Sequence, residues 1–244
     1  IVGLPSDIMT PRYDFQKPFK VLILDRGAWK NGPPITGESM WYTDGSKMED
    51  GVGAGVYGAH PRCNISVSLG RLAMVFQAEL VAIIICAAEI RRRGVYNSRV
   101  VIYSDSQAAL RAIDSWEISS RLVWDCLGAL REISSHNKVF LVWVPGHSGH
   151  RGNEAADRLA REGSMRALIG PEPSCGVSRC LRSASIKTWM QDRSREWCVK
   201  TPGQRQAKKF IHSHPTKLTA ELLQLRNQAN CGHKDSSWRS HWPL

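Results

Sequence analysis

At 244 residues the chain is long enough for one sizeable domain and an appendage. Its 33 Lys/Arg against 22 Asp/Glu give a net charge of +11, and residues 171–244 alone hold 13 basic against 5 acidic residues. A basic tail beside a near-neutral domain points to a polyanionic partner, nucleic acid first, with a merely solvated tail as the alternative. No apolar run approaches the roughly 18 residues of a membrane span and no basic-then-apolar leader opens the chain, so an intracellular, non-secreted protein without a membrane partner is expected, in nucleus or cytoplasm alike. The first residue is Ile1 rather than Met, which suggests a piece of a longer polypeptide. Seven cysteines, an odd count with no CxxC pair, indicate neither a disulfide framework nor a standard zinc site.

Residues 1–36 carry Pro5, Pro11, Pro18, Pro33 and Pro34 around one apolar run, Val21–Leu24, and read as a linker from an upstream domain. From Met40 three strands follow closely, 40–43, 52–57 and 65–69, separated by short Gly- and Pro-bearing turns in the pattern of an antiparallel meander. Val75–Arg93 has helical length and stops at Gly94, so Arg91, Arg92 and Arg93 read as a helix end before they read as a phosphate clamp. A β-branched strand, 99–103, leads to Ser104-Asp105-Ser106; helices over 107–113 and 120–134, a strand over 139–144 and a helix over 153–162 complete the order. This succession predicts an α/β fold with a mixed sheet and covering helices in residues 37–166. Residues 167–244 form a basic extension with helices expected at 178–199 and 204–227, anchored by Trp189, Trp197, Leu222, Leu223 and Leu225.

Four carboxylates occupy positions where an isolated charge is disfavoured. Asp44 and Asp105 each end an apolar strand, and if those strands are parallel neighbours both emerge at one sheet edge. Glu79 lies one turn from Phe76 and Ile83, and Asp157 beside Ala155, Ala156 and Leu159, so each needs a partner or a cation. Each alone is explained by an N-cap, a turn or a surface pair. Together they make a hard-oxygen set suited to two Mg²⁺ ions, or Mn²⁺, rather than zinc, and such a pair of ions serves phosphodiester hydrolysis. His147 lies on the Pro145–His150 turn that leads to Asp157.

Thr43-Asp44-Gly45-Ser46, Gln77-Ala78-Glu79-Leu80, Ser104-Asp105-Ser106-Gln107 and Trp143-Val144-Pro145-Gly146-His147-Ser148-Gly149 with Gly152-Asn153-Glu154-Ala155-Ala156-Asp157 resemble the motif set of type 1 ribonuclease H. They most resemble the ribonuclease H domain at the C-terminal end of arthropod non-LTR retrotransposon polyproteins of the jockey type, strongly over about residues 40–165. The resemblance implies a five-stranded mixed sheet, three strands antiparallel and two parallel, and cleavage of the RNA strand of RNA–DNA hybrids. It implies metal-binding catalytic carboxylates at Asp44, Glu79, Asp105 and Asp157, and His147 in proton transfer or product release. Gly45, Ser46, Gln77 and Ser106 would contact substrate, and a reverse transcriptase would be fused or act upstream.

Two departures stand out. Residues Asp114–Ile118 are short and not basic where some family members carry a basic protrusion, and Val75-Phe76 stands where some have amides that contact the DNA strand. Hybrid affinity is therefore expected to draw on residues 171–244 or on the upstream reverse transcriptase. Two rivals remain open: a 3′–5′ exonuclease, which wants an Asp-x-Glu that Asp44-Gly45-Ser46 lacks, and a catalytically decayed module that binds hybrids without cutting them.

Overall fold

The computed structural model describes residues 3–200, which divide into two compact units between Arg182 and Ser183. In chain order the strands are β1 (Ile8–Tyr13), β2 (Lys20–Leu22), β3 (Ser39–Lys47), β4 (Val52–His60), β5 (Cys63–Gly70), β6 (Arg99–Ser104), β7 (Glu117–Ser120) and β8 (Lys138–Trp143). The helices are α1 (Val75–Arg92), α2 (Gln107–Asp114), α3 (Arg121–Ser134), α4 (Arg151–Met165) and α5 (Arg179–Lys200), and a 3-10 turn spans Arg26–Trp29.

Six strands form the main sheet in the order β2-β8-β6-β3-β4-β5. The expected antiparallel meander is β3-β4-β5, and β6 and β8 run parallel to β3 and to each other. β6 is buried on both faces, which is why it reads as a continuous apolar run rather than an alternation. Val100 and Ile102 face the larger core with α1 and α3, while Val101 and Tyr103 face a smaller one with Tyr42, Val142 and Ala156 of α4.

The sixth strand corrects the expected five. The run at Val21, placed in a linker by its prolines, pairs in parallel with β8 through Lys20↔Phe140, Val21↔Leu141 and Leu22↔Val142. Beside it Phe19 is buried, and Trp29 is buried at the end of a 3-10 turn whose Asp25 Oδ1 accepts from the Ala28 N–H at 3.0 Å. Upstream, β1 pairs antiparallel with β7 in a separate two-stranded sheet, so the short Asp114–Ile118 segment runs into a strand. Asp7 fixes this sheet to α3: its carboxylate accepts from the Leu122 N–H at 2.8 Å and the Ser120 hydroxyl at 2.9 Å.

Arg92 and Arg93 both pair with Glu89 at 2.6 Å, and Arg91 pairs with Glu132, as expected of a helix end. In the second unit the described chain is the greater part of α5, close to the predicted 178–199. Trp189 on it is largely exposed rather than an anchor. The helix expected at 204–227 lies outside the described residues.

Candidate active site

Register places the first two carboxylates. β3 and β6 run side by side with Thr43 opposite Ser104, so the next residues, Asp44 and Asp105, emerge together where β6 ends. Glu79 comes from the first turns of α1, which lies against β3 at a point where a side chain would not fit. A Cβ on Gly45 would sit 2.6 Å from the Glu79 backbone nitrogen and 2.9 Å from the Ala78 carbonyl carbon. One ligand oxygen from each of Asp44, Glu79 and Asp105 therefore falls within 4.8 Å of the others.

Asp44 and Glu79 are buried and Asp105 is half-buried. Burial first, and then the charges of Asp105 and Asp157, push the Asp44 carboxyl up to about 8 from its ordinary 3.8. Burial and the charges of Asp44 and Asp105 also raise Glu79 well above the usual carboxylate range. Glu79 Oε2 is fully buried and has no hydrogen-bond partner. A carboxylate with one oxygen unpartnered, grouped with two more carboxylates, offers hard oxygen donors that fit a divalent cation such as Mg²⁺ or Mn²⁺. Two of the three are residues that an apolar interior would otherwise not hold charged.

Asp157 is on the next element over. α4 crosses β4 at Gly55, where a Cβ would meet the Ala156 carbonyl oxygen at 2.2 Å and the Ala160 nitrogen at 2.4 Å. That close approach brings Asp157 near enough for its charge to act on Asp44. Its carboxylate is held by Arg161 one turn on, at 2.9 and 2.7 Å, so the structure gathers three of the four expected carboxylates and leaves the fourth in an ion pair at the rim.

His147 is exposed on the turn between β8 and α4, with a left-handed backbone (φ 51°). Gly45 and Ser46 are half-buried on β3 beside the carboxylates. Ser106 caps α2, its hydroxyl accepting from the Ala109 N–H at 3.3 Å. Gln77 is fully buried: its Oε1 accepts from the Met74 N–H at 3.1 Å and its Nε2 donates to the Gly176 carbonyl at 3.0 Å. The amide expected beside substrate is thus engaged with backbone at the start of α1.

Three further residues touch the cluster; all three stand within the sequence motifs, where no role was read for them. Asn153 Nδ2 donates to Asp105 Oδ2 at 3.3 Å, and its own buried Oδ1 has no partner. Trp143 Nε1 donates to the Asp105 carbonyl at 3.0 Å. Gly146 passes so close that a Cβ there would lie 2.9 Å from Asp105 Oδ2. The available signal for Asn153 was a polar residue one turn before Asp157 on the buried face of α4.

Comparison with known proteins matches residues 36–165 to the family model described as RNase H. Ribonuclease H1 of Mus musculus is 32% identical over 151 residues, 54% of this chain and 52% of the mouse protein. Ribonuclease H of Idiomarina loihiensis is 30% identical over 144 residues, 51% of this chain and 87% of the bacterial protein. Ribonuclease H1 of Homo sapiens is 31% identical over 145 residues, 52% of this chain and 50% of the human protein. The chain thus spans about half the length of its mammalian relatives.

Proposed function

The chain belongs to the RNase H family, and on that premise we propose that its residues 37–166 are a divalent-metal-dependent endonuclease hydrolysing the RNA strand of RNA–DNA hybrids. The observation that carries this function is the meeting of Asp44, Glu79 and Asp105 within 4.8 Å, with a buried Glu79 oxygen left unpartnered. These three, joined by Asp157 once it leaves Arg161, would hold two ions, Mg²⁺ or Mn²⁺. Bound there, the ions supply Lewis-acid polarisation and neutralise charge that builds up in phosphodiester cleavage.

The chain's own groups do the rest. Asn153 and Trp143 fix the Asp105 carboxylate and backbone, and Gly146 leaves room for that carboxylate under the turn. His147, exposed on that turn, moves a proton to or from the reacting phosphodiester. Gly45, Ser46 and Ser106 sit where a ribose would pass, offering backbone and hydroxyl groups to a 2′-hydroxyl. Gln77 contributes by holding the N-terminus of α1, and with it Glu79, in place.

Incubation of the protein with a labelled hybrid and Mg²⁺ tests this: cleavage by wild type that is lost in Asp105→Asn supports it. Equal cleavage by both, or hybrid binding without cleavage, refutes it, the latter being the behaviour of a decayed module. The motif resemblance also supports an origin in a jockey-type retrotransposon polyprotein with a reverse transcriptase upstream, and genomic sequence 5′ of the coding region lacking a reverse transcriptase frame would count against it. We assign residues 167–244 as a basic extension that adds affinity for hybrid.

A further inference from the structure

On the surface that α2 leads away from the carboxylates, three exposed aromatic rings lie in near-parallel planes. Tyr13 at the end of β1 stacks on Trp116 at 5.6 Å, and Phe15 lies 6.1 Å from Trp116 and 6.5 Å from Tyr13, with interplanar angles of 11–19°. They are 58%, 55% and 78% exposed for Tyr13, Trp116 and Phe15. Stacking between themselves does not hide such rings from water, and leaving this much aromatic area wet is unfavourable unless something covers it.

Lys17 holds the arrangement together, donating to the carbonyls of Ile113 at 2.6 Å and Ser115 at 2.7 Å and so fixing the segment that carries Phe15 against the one that carries Trp116. It also lines two hollows. One, of about 450 Å³, is bounded by Phe15, Trp116, Asp14 and Asp114. The other, of about 490 Å³, is bounded by Lys20, Arg99, Lys138 and Phe140, with the Arg99 guanidinium 5.8 Å over the Phe140 ring. Among the described residues no carboxylate lines this second hollow, though Glu38 Oε2 accepts from the Arg99 N–H at 2.7 Å beside it. The surface therefore changes along its length, from flat rings to clustered cations, with Lys17 at the junction.

We propose that this strip binds a single-stranded nucleic acid, unpaired bases stacking on the Tyr13, Phe15 and Trp116 rings while the phosphates follow Lys17 towards Lys20, Arg99 and Lys138. Every base has a face to stack on and every linkage a charge, so rings followed by cations suit a strand without selecting its sequence. A protein partner would cover the rings equally well but leaves the cluster of Lys20, Arg99 and Lys138 beyond them without a role. The strip is separate from the carboxylates. α2, eight residues and so about 12 Å long, runs from just after Asp105 to just before Trp116, so the rings would take unpaired RNA or DNA flanking a hybrid.

The test uses the full chain in EDTA, with anisotropy of fluorescein-labelled dT and rU 12-mers over a salt series from about 100 to 300 mM, in which contacts of exposed cations weaken while stacking persists. Phe15→Ala/Trp116→Ala is expected to weaken binding at least tenfold, since stacking of one base is worth about 5- to 150-fold in affinity, while Phe15→Tyr/Trp116→Phe stays within about twofold. Lys20→Glu/Lys138→Glu is expected to weaken binding and flatten its salt dependence. Thermal unfolding monitors the fold, and Phe15→Ala alone, at the most exposed ring, serves if the double variant unfolds. Equal affinity of the alanine variants and wild type overturns the proposal, as does a change in their oligomeric state without a change in nucleic-acid affinity. Comparison of dT with rU shows whether the strand taken is DNA or RNA. Cleavage of a blunt hybrid by wild type in Mg²⁺ is measured separately, so failure of hybrid cleavage and failure of strand binding are separately visible.

Discussion

Replacing Asp44 by Asn removes one charge from the carboxylate cluster at nearly constant shape, and its effect on stability depends on pH in a way the structure fixes. The Asp44 carboxyl is raised from 3.8 to about 8, by burial first and then by Asp105 and Asp157. A folded state that keeps a proton the unfolded chain releases loses stability as pH rises between those values: the contribution is complete below about 4 and gone above about 8. Each unit is worth about 1.4 kcal/mol, but the charge is shared with Glu79 and Asp105, so a loss of about 2–4 kcal/mol between pH 5.5 and 8.5 is expected. For a protein of this size that corresponds to a fall in Tm of roughly 5–15 °C. Differential scanning fluorimetry of wild type and Asp44→Asn in EDTA reads this contribution together with the part of the Glu79 shift that the Asp44 charge causes. Wild type should lose this much more than the variant as pH rises, and Mg²⁺ or Mn²⁺ should restore wild type at pH 8.5 while adding little at pH 5.5. Parallel pH curves for the two proteins would refute the reasoning.

Other perturbations follow from particular contacts. Gly45→Ala puts a methyl 2.6 Å from the Glu79 nitrogen, so α1 must shift; a cost of about 1–3 kcal/mol by chemical denaturation, with loss of hybrid cleavage, is expected. Asp7→Ala removes the acceptor for Leu122 N–H and the Ser120 hydroxyl and should cost about 1–2 kcal/mol while leaving cleavage intact, since it lies just before β1 and holds α3 rather than the carboxylates. His147→Ala should slow single-turnover cleavage by about 10²-fold or more with hybrid affinity unchanged, the signature of a proton carrier; a loss of affinity instead would make it a binding residue.

Much of this was legible because the signals were local. Asp44 and Asp105 each terminate an apolar run, and one parallel pairing between β3 and β6 suffices to bring them together. Glu79 betrayed itself as a charge inside an otherwise apolar helix face. What sequence hid depended on partners far along the chain. β1 pairs with β7 some hundred residues away, and β2 is only three residues long, so proline content outweighed their weak strand pattern. The burial of Gln77 depends on Gly176, nearly a hundred residues on, and could not be read from its neighbours. The rings of Tyr13, Phe15 and Trp116 meet only because of the same β1–β7 pairing and the Lys17 bridge. The Asp157–Arg161 pair, by contrast, is an i,i+4 contact on one helix; its geometry was readable, but not its precedence over the cluster.

The most direct test of the central claim is strand-resolved cleavage. One RNA–DNA hybrid is prepared with a label on the RNA in one sample and on the DNA in another, and both are incubated with excess protein and Mg²⁺. The site described here predicts fragments from the RNA label alone, absent in EDTA and absent with Asp105→Asn. Fragments from the DNA label, or RNA cleavage that survives either treatment, would contradict it.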